Sequence, residues 1–235
     1  MPTADALTHK MLQLARVTSK DRLYDLGAGD GRIAIAAAKD FGAESVGIEY
    51  DASLVRLAQC LADAEGVAQK VDIVQGDIFK SDFSDATVVT LYLLPELNLK
   101  LRPTLLELTP GTRIVSHSWL MDEWEPDDQT SAGNAHAYLW IVPAKIEGTW
   151  TFVRDDGQER FTVQFEQSFQ HVKGRVASGD GSRPLWQSKL RADELTFSFA
   201  DASTITRVIG TVAGKRIDAR VSRNDVTASF VGKRL

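Results

Sequence analysis

Two patterns of hydrophobic and polar residues follow one another along the chain. Up to about residue 118, helix-like and strand-like segments alternate. Ala4 to Ala15 has helical spacing through Leu7, Met11, Leu12 and Leu14, and DRLYDL then forms a short apolar strand that runs into glycines. IAIAAAKDFG is an Ala-rich helix ending at Gly42, and SVGIEYD is a strand ending in acids. SLVRLAQCLADAEG predicts an amphipathic helix with Leu54, Leu57, Ala58 and Leu61 inward and Gly66 as its stop. Strands VDIVQGD and TVVTLYLL follow, then a helix from about Glu96 to Leu108 and a strand TRIVSHS after the turn at Pro110 and Gly111. Five apolar strands separated by helices predict a parallel sheet covered on both faces. Residues 119–135 are polar, acidic and punctuated, which reads as a long loop before YLWIVP.

Beyond that point no helical period survives. FTVQFEQS, HVKGRVAS, LWQSKL, ELTFSF, TRVIGTV, RIDARVS and VTASFVG recur with Gly, Asp and Asn turns between them. Short alternating segments of this kind predict an antiparallel meander or small barrel. The expected organisation is therefore an α/β domain over residues 1–143 and a small antiparallel β domain over 144–235.

Charge supports the division. The 235 residues carry a net −5, but residues 1–143 hold 12 Lys and Arg against 21 Asp and Glu, whereas residues 144–235 hold 15 against 11. No apolar run approaches the ~20 residues that span a bilayer, and the N-terminus lacks a basic-then-apolar signal layout, so a soluble, cytoplasmic protein without membrane insertion is expected. Cys60 is the single cysteine, and His9, His117, His136 and His171 show no ligand spacing with it, so no metal site is expected. A modest basic surplus confined to one end also makes a poor duplex nucleic-acid binder, and no nucleic-acid partner is expected.

The first βα junction, DLGAGDGR at residues 25–32, carries the chemistry. Gly27, Gly29 and Gly31 form GxGxG on a strand-to-helix turn, where backbone can pass close under a ligand and free N–H groups open the helix. A dinucleotide fingerprint would place its third glycine one residue later, at Arg32. Asp25, two residues before the first glycine, would repel a pyrophosphate and suits a ligand with positive charge, such as the amino group or sulfonium of S-adenosylmethionine. Glu49, at the tip of the next strand, can accept both hydroxyls of a ribose. Asp77 in GDIF, at the third strand end, can accept from an adenine amine while Ile78 covers the ring. Asp30 in the loop and Tyr50 beside Glu49 complete the expected cofactor set. Acids at three successive strand ends define one crevice.

This arrangement resembles class I S-adenosylmethionine-dependent methyltransferases over about residues 1–143. DLGAGDGRIAIAAAK, VVTLYLLPELNLKLRP at 88–103 and PGTRIVSHSW at 110–119 are similar to bacterial relatives of the protein-lysine methyltransferases of the ATP-synthase c subunit and the adenine-nucleotide carrier. The resemblance implies S-adenosylmethionine as methyl donor and a protein lysine as acceptor. A methyltransferase of small metabolites and a cofactor-binding regulatory or scaffold protein are the rival readings.

At the fourth strand, many nucleic-acid amino methyltransferases carry [D/N]PP[Y/F/W]; Tyr92-Leu93-Leu94-Pro95 stands here instead, which disfavours adenine or cytosine as acceptor. Tyr92 beside the methyl group, Pro95 and Glu96 form the expected catalytic lip. Asn98 and Arg102 would fix the following helix, and His117 would lie on the ligand side of the sheet as either a substrate contact or a satisfied strand-end residue. Trp119, Trp124 and Pro126 would form a lid or an interdomain contact, and Cys60 would be a helix core residue. Class I sheets end in an antiparallel pair, but only 136–143 offers a strand before Gly148, so either the last strand is missing or the β domain supplies it. In that domain EGTWTF is similar to the opening of lipocalin-like barrels, with Trp150 as the expected plug.

Overall fold

A computed structural model describes residues 5–178, 181–201 and 204–235; Ala4, the first residue of the predicted N-terminal helix, lies outside them. The chain divides into two compact units, Met1–Val142 and Pro143–Leu235. The first contains α1 (Asp5–Leu14), β1 (Arg22–Leu26), α2 (Arg32–Phe41), β2 (Glu44–Glu49), α3 (Ala52–Ala64), β3 (Val71–Gln75), β4 (Val88–Leu91), α4 (Pro95–Leu105), β5 (Arg113–His117), β6 (Asp128–Ala132) and β7 (Ala135–Ile141). Its strands form one sheet in the order β3-β2-β1-β4-β5-β7-β6. The first five are parallel, while β7 runs antiparallel to β5 and β6 antiparallel to β7. Both sequence-based alternatives for the last strand fall: the terminal pair is complete within the first unit, and β6 comes from the segment read as a loop.

Local chemistry sets the helix limits. Asp51 caps α3 by accepting from the Ser53 and Leu54 amides at 2.6 and 3.3 Å. Gly42 ends α2 at φ +73°, its amide donating to the Ala37 and Ala38 carbonyls. The face of α3 differs from the one expected. Val55, Ala58 and Ala62 are buried, whereas Leu54, Leu57 and Leu61 are exposed and so is Cys60. The buried residues pack with Ala34, Ile35 and Ala38 of α2 and with Val71 and Ile73 of β3. Small residues let the two helices and the strand approach closely, which leaves no room for leucine on that face. Trp124 is likewise no lid: it is fully buried against Trp140, whose Nε1 donates to the Trp124 carbonyl at 2.7 Å. Pro126 is half-buried and Trp119 exposed.

Away from the ligand edge, Asp21 ties several elements together. It accepts from the Thr18 amide and the Thr87 hydroxyl, each at 2.8 Å, and pairs with Arg113, which also donates to the Ala15 carbonyl at 2.8 Å. The chain leaving α1 and the starts of β1, β4 and β5 are thereby linked.

The second unit comprises β8 (Gly148–Arg154), β9 (Arg160–Ser168), β10 (His171–Ser178), β11 (Gly181–Pro184), β12 (Trp186–Arg191), β13 (Glu194–Asp201), β14 (Thr204–Ala213), β15 (Arg216–Arg223) and β16 (Val226–Arg234). Pairing follows the order β11-β10-β9-β8-β16-β15-β14-β13-β12, an antiparallel meander whose first and last strands, β8 and β16, meet to give a nearly closed sheet. Strict alternation builds this unit: in β14 every second residue from Thr206 to Val212 is buried. Trp150, Phe152, Phe161, Phe165, Phe197, Phe199 and Phe230 fill the interior.

The Asp21 cluster generates a pH-dependent expectation. Burial pushes its carboxyl up, but hydrogen bonds from Arg113, Thr87 and Thr18 more than offset this and hold it below the usual value. A depressed folded pKa gives stability that is present above the unfolded value and lost as pH falls through the folded one. Arg113→Ala should destabilise the protein by about 2–3 kcal/mol at pH 7, and the deficit of Asp21→Asn should shrink as pH drops below about 4. Urea unfolding of both variants at pH 7 and pH 3 checks this.

Candidate functional site

The four strands β1 to β4 end on one side of the sheet, and the sheet order reverses direction between β1 and β4. Ligands of open α/β sheets bind at such a reversal. Here the loop after β1 is fastened to β2, with the Gly27 and Ala28 amides donating to the Ile48 carbonyl at 2.9 and 3.0 Å. Gly29 has φ +57° with open space around a would-be Cβ, so its backbone conformation is what calls for glycine. Its amide donates to Glu49 Oε2 at 2.8 Å. Gly31, at φ +77°, is needed for closeness as well: a Cβ there would lie 2.9 Å from that of Ala58.

Asp25 is 2% exposed at the end of β1 and accepts from the Thr90 hydroxyl at 2.8 Å. Among the described residues no ion pair compensates its charge. Burial pushes its carboxyl up to about 7, with Asp30 and Glu49 adding to the rise and the Thr90 hydrogen bond opposing it. Asp30 moves the other way: hydrogen bonds from Arg32, including Nη2 to Oδ2 at 2.6 Å, hold it below the usual range. Arg32 thus opens α2 by engaging a loop carboxylate.

A cavity of about 380 Å³ lies over this loop, lined by Asp25, Gly27, Gly29 and Asp30, by Leu54 and Leu57 of α3, and by Tyr92 just beyond β4. That volume suits a small-molecule ligand. The structure therefore brings together Asp25, three loop residues and Tyr92 of the expected set. Glu49 is one hydrogen bond away, bridging the Gly29 amide and, at 2.9 Å, the Asp51 amide, and each of its oxygens keeps acceptor capacity. Asp77 and the half-buried Ile78 follow β3, where Asp77 accepts from the Phe79 amide at 3.0 Å and lies 3.5 Å from Lys80 Nζ. Tyr50 is 79% exposed. Pro95 is the first residue of α4 and Glu96, in its first turn, is exposed.

Comparison with known proteins gives this geometry a chemical setting. The model of the ANTKMT methyltransferase domain matches residues 25–128, from Asp25 at the end of β1 to the start of β6. A protein-lysine N-methyltransferase of Saccharolobus islandicus is 41% identical over 148 residues, which cover 60% of this chain and 92% of that protein. The chain belongs to the ANTKMT methyltransferase family. A mouse lysine N-methyltransferase of the ATP-synthase c subunit is 32% identical over 148 residues, 62% of this chain and 60% of that protein. Among solved structures, an RNA methyltransferase from Salinibacter ruber in complex with S-adenosyl-L-homocysteine is 47% identical with a TM-score of 0.61, covering 68% of this chain and all of that one. The protein is thus a class I S-adenosylmethionine-dependent methyltransferase, and its first sheet, with the antiparallel β7–β6 pair, has the architecture expected of one.

Several residues around the cavity over the glycine loop escape a reading of the sequence. Leu54 and Leu57 read as core, because nothing local distinguishes a leucine lining a ligand cavity from one packed inward. Thr90, two residues before Tyr92, carries the hydrogen bond to Asp25 only because β1 and β4 pair with Asp25 opposite Thr90.

The Asp25 environment predicts a stability change with a definite sign. Its folded pKa lies above the unfolded value, so the ligand-free methyltransferase loses stability as pH rises from about 4 through about 7. Asp25→Asn keeps an oxygen for the Thr90 hydroxyl without the charge. The variant should melt higher than the parent at pH 8, with the gap closing toward pH 4, as thermal unfolding without ligand would show.

Proposed function

We propose that the protein transfers the methyl group of S-adenosylmethionine to the side-chain amine of a protein lysine. The buried, uncompensated carboxylate of Asp25 beneath the cavity carries the cofactor half of this reading, since it favours a cationic ligand. When bound, S-adenosylmethionine supplies a methyl group already activated on a sulfonium. Asp25 would face the cationic methionine portion, above the loop of Gly27, Gly29, Asp30 and Gly31. Glu49 would accept from the ribose hydroxyls, with Tyr50 at its flank. Asp77 would accept from the adenine amine, and Ile78 would cover the ring. The lysine relatives named above support the acceptor half.

Little general acid–base work is required. The chain must strip water, align the amine nitrogen with the methyl carbon and sulfur, and present the amine unprotonated. An apolar slot beside Tyr92 lowers the pKa of an alkylamine by desolvation. The Leu94 carbonyl is committed to the Leu97 and Asn98 amides at 3.0 and 3.2 Å, so the carbonyls that orient the acceptor at the lip are those of Tyr92 and Leu93. Pro95 starts α4 without an amide hydrogen and sets the backbone for that turn. Glu96, exposed in the same turn, attracts the incoming ammonium.

Similarity to the Salinibacter RNA methyltransferase favours RNA as a second reading, against which stands the Tyr92-Leu93-Leu94-Pro95 lip. Incubation of the protein with radiolabelled S-adenosylmethionine and a cell extract, followed by hydrolysis, separates them: label in methyllysine is expected, and label in nucleosides or only in small molecules overturns the acceptor assignment. By calorimetry, Glu49→Ala should weaken S-adenosylhomocysteine binding by about 1–3 kcal/mol, and unchanged affinity would exclude the ribose role. Because the cationic ligand needs Asp25 ionised, parental affinity should fall as pH drops from 8 to 6, a dependence that Asp25→Asn should remove.

A further inference from the structure

β5 leaves the sheet in a conformation that ordinary residues avoid. The Trp119 amide donates to the His117 carbonyl at 2.9 Å across Ser118, whose φ is +67°. A γ-turn with a positive central φ is the rare, strained form, and such strain persists only where surroundings enforce it. They do so here. The Ser118 amide donates to the His136 carbonyl at 2.8 Å, fixing the turn to β7. On the α4 side, fully buried Asn98 donates to Ser116 Oγ at 3.1 Å, and Arg102 Nη1 donates to the Met121 carbonyl at 2.9 Å. The segment from Ser116 to Met121 is therefore clamped at both ends.

On one side of the turn, His117 is 6% exposed and stacks on Tyr92, with ring centroids 3.9 Å apart and planes 24° from parallel. Tyr92 in turn lines the cavity over the glycine loop. Burial pulls the His117 pKa down, so the stacked imidazole is uncharged near neutrality. On the other side, Trp119 and Leu120 are 42% and 47% exposed, although Trp124 of the same segment is fully buried. Exposed Asp122 and Glu123 follow after the buried Met121. Folding alone does not call for a strained turn that leaves an indole and a leucine in water next to a ligand edge.

We propose that His117, Trp119 and Leu120 build the acceptor subsite: Trp119 and Leu120 pack the methylene stem of an alkylamine side chain, and the His117–Tyr92 stack sets the wall along which its nitrogen reaches the methyl group. The proposal rests on the lysine reading above and names the residues that give it specificity. An aliphatic stem matches the indole and leucine, and the ammonium end matches aromatic faces and the adjoining acids before it is desolvated. In the transfer the amine loses a proton to water, its lone pair forms the N–C bond, and the C–S electrons leave with sulfur as a neutral thioether. His117 acts through Tyr92, as a positioning residue.

The test uses the full chain, tritiated S-adenosylmethionine and a heat-treated cell extract as acceptor pool, with label counted as methyllysine after hydrolysis. Trp119→Ala should raise the half-saturating extract concentration at least tenfold, with the maximal rate changed less than threefold and S-adenosylhomocysteine affinity within twofold by calorimetry. His117→Ala should lower the maximal rate at least tenfold, and His117→Phe, which keeps a stacking ring, should restore it to within threefold at an unchanged melting temperature. Parental half-saturation in Trp119→Ala, or failure of His117→Phe to restore what His117→Ala loses, overturns the subsite. A parent protein that binds S-adenosylhomocysteine yet forms no methyllysine overturns the lysine reading and the subsite with it, a result distinct from parental kinetics in the variants.

Discussion

The first unit is organised around a carboxylate that folding alone would not retain. Asp25 is the penultimate residue of β1, is 2% exposed beneath the cavity, and among the described residues accepts a neutral hydrogen bond from Thr90. A buried carboxylate without a cation shifts its pKa instead of staying charged, and the rise to about 7 is that response. Replacement by leucine or valine would suit the surrounding strands better. In the proposed function, a cationic group over the glycine loop would supply the charge that the fold withholds, so that what is unfavourable in the free protein would become affinity in the complex.

The rest of the site follows from where that carboxylate sits. Between β1 and β4 the sheet reverses direction, so the crevice has a floor but no crossing connection. In the proposed function, cofactor groups would be held from the β1 and β2 ends, and the lip would reach the crevice from β4. β5 lies next to β4 and brings His117 under Tyr92. Strand order thus sets where the proposed donor and acceptor sides lie, and the Tyr92–His117 stack joins the ends of β4 and β5.

Those elements are legible in sequence to the extent that their signals are local. Glycines at positive φ, acids at strand ends and an Ala-rich helix each follow from a few neighbouring residues, and Gly27, Gly29, Gly31 and Glu49 stand where their spacing puts them. Three features are not local. β6, DQTSA, is a polar edge strand whose only cue is its partner β7, so composition makes it a loop. The face of α3 is misread because Leu54, Leu57 and Leu61 run parallel to Val55, Ala58 and Ala62 one residue away; the larger side chains win on hydrophobicity, but the tight approach of α2 admits only the smaller ones. Trp124 resembles a lid residue because its neighbours are acidic, yet its partner is Trp140, sixteen residues on.

In the second unit alternation alone predicts every strand except the short β11, and the interior limits what the barrel can do. Phe152 and Phe161 stack with centroids 5.0 Å apart, and Phe165 meets Phe197 edge-on at 5.4 Å. Phe161 also contacts Phe199 and Phe230, so rings from β8, β9, β13 and β16 interlock across the sheet. Burial of each ring contributes roughly 2–3 kcal/mol, and a guest inside would have to displace at least one of them. A lipocalin-like opening therefore does not imply a lipocalin-like cargo: these aromatic side chains occupy the space that an apolar ligand would need, while the outward positions of β14, β15 and β16 carry the exposed Arg207, Arg220 and Lys233.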